Sequence, residues 1–160
     1  MRAVAPDFAL FLGDMIYADS PCPSPPNLPG AEGVCRTRDD FRRRWIYNRS
    51  DPNHRALLAS TSMVTTWDDH EVENDFGGTA EALAADGLAA FLEFHPIARD
   101  AAEPQRIYRS FRWGKLVELF VLDTRQYRGA NRAADGPANS LLGAAQTAWL
   151  IGAVKRSDAM

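Results

Sequence analysis

The chain has 160 residues, 46% hydrophobic and 24% charged, which suits one soluble domain or part of a larger one and is too apolar for a disordered chain. A net charge of -3 marks neither a general nucleic-acid binder nor a ligand for anionic membranes. No apolar run approaches the ~20 residues that cross a bilayer, and the opening Met1-Arg2-Ala3-Val4-Ala5-Pro6 does not read as a signal peptide.

In chain order, Phe8-Ala9-Leu10-Phe11-Leu12 is a short apolar run stopped by Gly13-Asp14, which predicts a buried strand of parallel type. A proline-dense loop follows from Pro21 to Gly30, excluding helix and central strand there. Cys22, near its start, and Cys35, beyond its end, are equally consistent with a local disulfide or with two thiols. From Thr37 to about Arg49 the pattern is helical, with Phe41, Trp45 and Ile46 on one face and Arg42-Arg43-Arg44 on a solvated one. Thr37 or Asp39 would cap it. Pro52 stops that segment, and a second short helix is expected from Asn53 to about Leu58, with His54 on the surface.

Thr61 to Trp67 is rich in β-branched and aromatic residues and predicts a strand. The alanine-rich stretch from Thr79 to about Phe94 predicts a helix ended by Pro96, with His95 at its end. Gln105 to Trp113 and Lys115 to Leu122 predict a hairpin, an irregular segment with Gly136-Pro137 follows, and a last helix runs from about Gly143 to Arg156. The order β-α-α-β-α-β-β-α argues for an α/β layered domain.

Three of these strands end in chemistry-bearing residues: Gly13-Asp14-Met15-Ile16-Tyr17, Asp68-Asp69-His70-Glu71 and Asp123-Thr124-Arg125. In open α/β sheets the carboxyl ends of strands are where sites are built. Asp, His, Tyr and Asn offer oxygen and imidazole donors suited to hard or borderline cations. Bound cations would also relieve the repulsion among neighbouring carboxylates. Metal-assisted hydrolysis is the mechanism these residue types support best.

Each motif has a plainer reading. A Gly-Asp after a strand is often a turn, and GDxxY arises by chance in roughly one chain in fifty of this length. Asp-Asp-His-Glu, scarcer by chance, could be a helix amino terminus with Asp68 or Asp69 as cap and Glu71 favouring the dipole. His70-Glu71 does not begin a zinc-protease HExxH, because Asn74 stands where the second histidine belongs.

Taken together, PDFALFLGDMIYAD, RDDFRRRWIYNRSDPNHRALLASTSMVTTWDDHEVENDF, YRSFRWGKLVELFVLDTRQYR and LLGAAQTAWLIGAVKRSDA occur in an order that resembles the alkaline phosphatase D (PhoD-like) family of metallophosphoesterases. Its fold is calcineurin-like and related to purple acid phosphatases. The resemblance spans nearly the whole chain and rests most on WDDHEVEN and LDTRQYR. It implies an α/β/β/α layered sandwich, a small phosphoester substrate, hydrolysis of phosphomonoesters or phosphodiesters, and ferric iron with calcium as cofactors. Asp14 then stands at the metal-bridging aspartate, Tyr17 at the iron-binding tyrosine and Asp69 at a metal-ligand position. His70 falls at the histidine that binds phosphate or protonates the leaving group, and Asp68 and Asn74 at further oxygen ligands. Arg125 is assigned either to substrate phosphate, bidentately, or to a core carboxylate.

A complete family member is longer, with a cysteine-bearing strand before the GDxxY strand and a further Asp- and His-bearing block after the last helix. Neither Cys22 nor His95 stands in for these, so residues 1–160 are expected to be the middle of such a catalytic domain. The expected alternative to an active enzyme is therefore a catalytically inactive fragment that leaves strand edges unpaired. The family is typically exported through a twin-arginine signal that this chain does not show, which leaves compartment and oligomeric state open.

Overall fold

A computed structural model of the chain describes residues 5–22, 29–78, 80–134, 136 and 139–159. Its elements are β1 (Phe8–Leu12), α1 (Arg38–Ser50), α2 (Pro52–Leu58), β2 (Ser62–Thr66), α3 (Ala84–Phe94), β3 (Arg109–Trp113), β4 (Val117–Val121) and α4 (Gly143–Arg156). The chain is α/β, in the element order expected from the sequence. The path expected for the proline loop falls largely on residues 23–28, and part of that around Gly136-Pro137 on Pro137, all outside the described residues.

β1 and β2 pair in parallel, with Phe8 opposite Ser62 and Leu12 opposite Thr66. β3 and β4 form the expected antiparallel hairpin, with Arg109 opposite Val121 and Trp113 opposite Val117. The described strands thus make two two-stranded sheets rather than one continuous layer. The Phe8 ring packs on Trp113 at 5.0 Å, and Thr66 Oγ1 donates to the Leu122 carbonyl at 2.8 Å, so the carboxyl ends of β2 and β4 lie together.

β3 is shorter than predicted because residues 105–108 lie outside the ladder. Ile107 and Tyr108 are buried there, and Tyr108 packs against Tyr127 and Trp149.

Thr37 caps α1 through a capping box. Its Oγ1 accepts from Asp40 N–H at 3.3 Å, and Asp40 Oδ2 accepts from Thr37 N–H at 2.9 Å. Phe41 and Trp45 are buried as expected, but the rest of that face differs from the prediction. Ile46 is 47% exposed, whereas Arg44 is 4% exposed. The helical rotation that buries 41 and 45 also buries 44 and carries 46 outward. Arg44 is tolerated inside because its guanidinium donates to the carbonyls of Tyr17, Ser20 and Gly33.

Pro52 opens α2 rather than merely ending α1, at a position where a missing N–H costs nothing, and Asp51 caps the helix by accepting from His54 N–H. His54 is not a solvated surface residue. α2 turns its ring onto Phe11 of β1 at 5.9 Å, and Arg49 donates to its Nε2 at 3.1 Å.

α3 begins at Ala84, later than the alanine content predicts. Gly78, at φ +72, hands its N–H to the Arg125 carbonyl and turns the chain before a helix can start. α1 packs on α3, and exposed ion pairs Arg42–Glu93 and Arg38–Asp86 run across the seam. The core lies beneath, where Trp45 and Trp67 both pack on Phe91, with ring centroids 6.0 and 5.8 Å away. Gly87 lets α3 approach the turn after β2, since a Cβ there would lie 2.7 Å from Val72 Cγ2. Cys22 and Cys35 do not form a disulfide. No helix among the described residues is long and apolar enough to cross a membrane.

Candidate metal centre

The loop after β1 is held from several sides. Gly13 adopts φ +100, and a Cβ on it would lie 2.4 Å from Asp68 Cβ and 2.5 Å from Asp68 N. Only glycine allows the ends of β1 and β2 to approach this closely. Asp14 follows at φ +54, an uncommon conformation for a residue with a side chain. α1 fixes the rest of the loop: Asn48 donates to the Met15 carbonyl at 2.7 Å, and Arg44 to the carbonyls of Tyr17 and Ser20. Ala18 N–H donates to the His70 carbonyl at 2.8 Å, joining this loop to the one after β2.

The residues after β2 form turns rather than a helix amino terminus, with the Asp69 carbonyl accepting from Val72 and Glu73 N–H. As a result Asp14, Asp69 and His70 each present one donor atom within 4.8 Å of the others. Tyr17 stacks on the His70 ring at 4.2 Å and its hydroxyl donates to Asp14 Oδ2 at 3.3 Å, which places the phenol at the rim of the group. Asp69 is buried, Asp14 and Tyr17 are exposed, and the centre opens to solvent.

The remaining predicted site residues are engaged differently. Arg125 Nε donates to Asp68 Oδ1 at 2.5 Å, and its NH2 group lies 3.5 Å from Asp69 Oδ1. Of its two expected roles, pairing with carboxylates is the arrangement observed. Asp68 is thereby committed to an ion pair. Asn74 gives its backbone N–H to Asp19 Oδ2, and its side-chain amide donates to Asp75 Oδ2 at 3.2 Å.

Asp19 and Gln146 did not emerge from sequence reasoning, and Glu71 and Asp123 appeared there only as members of the strand-end motifs, without these partners. Asp19 Oδ2 accepts from His70 Nδ1 at 2.8 Å, which leaves Nε2 as the nitrogen His70 can offer. Glu71 is fully buried and accepts N–H bonds from both strand-end loops. Asp123 accepts from Trp67 Nε1 at 3.0 Å and from the N–H groups of Arg125 and Gln126, while Gln146 of α4 brackets its backbone. Asp19 had a signal, as the acidic residue closing GDMIYAD. Its partner His70 lies 51 positions away, beyond any local periodicity.

Electrostatics separate the titrating groups. Burial alone would depress the His70 pKa, but the hydrogen bond to Asp19 and the charges of Asp19, Asp69 and Asp14 outweigh it, and the net shift is upward. Burial likewise pushes Asp69 up, yet the Asp75 N–H bond and the Arg125 charge win and hold it below the usual carboxylate value. The charge of Asp14 pushes the Tyr17 phenol up.

The donor set fits a hard or borderline cation: two carboxylates and an imidazole converge, and two opposed ~2.4 Å bonds of a calcium-sized ion span ~4.8 Å. Asp14 and Asp69 would hold it, with Tyr17 adjacent and the His70 imidazole beside it.

Comparison with known proteins gives this geometry a context. The family model described as PhoD-like phosphatase matches residues 1–160. Alkaline phosphatase D of Bacillus subtilis (strain 168) is 33% identical over 184 aligned residues, covering 96% of this chain and 31% of the relative. A solved structure of PhoD shares the fold with a TM-score of 0.78 at 30% identity, covering 99% of this chain and 36% of that one. The chain therefore spans about a third of the length of the relatives it matches. A match along its whole length, together with a fold shared at 30% identity, means that this chain belongs to the PhoD-like phosphatase family.

Proposed function

We propose that this chain carries part of the catalytic centre of a metal-dependent phosphoester hydrolase acting on small phosphomonoesters or phosphodiesters, with ferric iron and calcium as the metals. The observation that carries this reading is the convergence of Asp14, Asp69 and His70 from two strand ends. Bound cations would polarise the phosphoryl group and lower the pKa of an attacking water. The chain's own residues do the rest. Asp14 and Asp69 supply oxygen ligands, with Tyr17 positioned to add its phenol oxygen. His70, held by Asp19 at Nδ1 and biased toward its protonated form, delivers a proton from Nε2 to the leaving group. Arg125, itself buried, anchors Asp68 and Asp69.

A titration of the purified chain with ferric iron and calcium, followed by hydrolysis of a chromogenic phosphomonoester, tests this. Metal-dependent turnover is expected, with a visible tyrosinate-to-iron band. His70→Gln should lower the rate by about 10²–10⁴-fold. A chain that binds neither metal and shows no such band is not the enzyme proposed.

The exposure of Asp14 and Tyr17 favours a second reading: a catalytically inactive fragment of such an enzyme with no independent turnover. Metal binding without hydrolysis in the same titration would select it.

A further inference from the structure

Glu71 lies beside His70, yet its carboxylate belongs to no ligand set described above. It is fully buried and, among the described residues, has no cationic partner. Peptide N–H groups answer its charge instead. Oε2 accepts from Asp14 at 3.0 Å and from Asp68 at 2.8 Å, and Oε1 accepts from Met15 at 2.6 Å. Asp14 and Met15 belong to the loop after β1 and Asp68 to the loop after β2, so one carboxylate bridges segments 57 positions apart in sequence. We propose that Glu71 is a positioning residue: its carboxylate pins the Asp14 loop to the Asp68–His70 loop and sets the separation at which Asp14, Asp69 and His70 present their donor atoms.

The inference rests on the metal-site reading above. A buried carboxylate with no cation is an expensive way to fill space, and an apolar side chain would serve packing alone better. What an apolar residue lacks is two acceptor oxygens aimed at donors on different loops. The backbone at the pinned point supports this role. Asp14 sits at φ +54, a conformation that persists only where its surroundings over-determine it, and its N–H is bound by Glu71. Gly13 adds an independent observation, because its contact with Asp68 leaves no room for a side chain between the two loops.

Glu71→Gln preserves size but has a single acceptor oxygen, and its NH₂ group must face a peptide N–H. Cobalt(II) titrated into the full 160-residue chain, read by its d–d absorption, should bind Glu71→Gln about 10–100-fold more weakly than the unsubstituted chain. The band shape should change as well, while the metal-free variant still unfolds cooperatively. Equal affinity and identical bands in the two proteins would overturn the positioning role and leave the metal site standing. No cobalt binding by the unsubstituted chain would instead remove the metal site, and the positioning role with it. If Glu71→Gln does not fold, amide exchange in the unsubstituted chain decides. The N–H groups of Asp14, Met15 and Asp68 lie outside helices and strands, and they should exchange slowly and slow further together on cobalt addition. Exchange at free-loop rates, or rates that ignore the metal, would overturn the inference.

Discussion

Gly13 shows how much one residue determines here. It links the end of β1 to Asp14, and its left-handed backbone and contact with Asp68 both forbid a side chain. Gly13→Ala is expected to destabilise the chain by about 2–3 kcal/mol, the upper part of the range for strained backbone, because steric overlap adds to the conformational cost. Urea denaturation of the two proteins checks this, and a midpoint unchanged by the substitution would contradict it. Arg44 is the opposite case, a charged residue whose position follows from what it satisfies. Its guanidinium reaches carbonyls of the Tyr17–Ser20 loop and Gly33, so burial costs it hydration but leaves those bonds made.

At the scale of elements, α1, α2 and α3 are joined at Arg49, whose guanidinium donates to His54 Nε2 at 3.1 Å and to His95 Nε2 at 2.7 Å. His95 Nδ1 donates in turn to the Phe91 carbonyl at 2.8 Å, so the ring is held neutral. Burial, reinforced by the charges of Arg49 and Arg109, lowers its pKa from 6.5 to about 4. Burial and Arg49 also lower His54. Between those two values the unfolded chain binds more protons than the folded one, so stability rises with pH across that window. The contribution is fully present above about pH 6.5 and is lost as pH falls toward 4, about 3 kcal/mol for a shift of this size. Denaturant midpoints measured across that range should fall with acidification, and His95→Gln should flatten the slope. A slope unaltered by that substitution would assign the acid sensitivity elsewhere.

For the molecule as a whole, the described strands leave apolar surface uncovered. Leu12 is 73% exposed and Leu10 47%, on the strand that pairs with β2, while Ile151 and Val154 are each 52% exposed on α4. Exposed edges and apolar faces promote association. The chain in isolation is therefore expected to associate with rising concentration, as sedimentation velocity would show. A soluble monomer with a sharp cooperative thermal transition would count against that expectation.

The type and order of nearly every element were legible in the sequence, because each depends on short-range features: β-branched runs, alanine-rich periodicity, the Thr37 cap and the two prolines that bound helices. The family was legible for the same reason, since GDMIY and WDDHEVEN are contiguous motifs, and the candidate residues Asp14, Tyr17, Asp69 and His70 lie within them. Tertiary structure alone decided the partners. It turned Arg44 inward and Ile46 outward, delayed α3 to Ala84, closed His54 against Phe11, and matched Arg125 to Asp68 and Asp69. It also brought Asp19 to His70 and Glu71 to the Asp14 loop across more than fifty positions. Local spacing carries no information about such distant pairs, because a charged side chain settles where folded neighbours satisfy it, and those neighbours exist only once the strands have met.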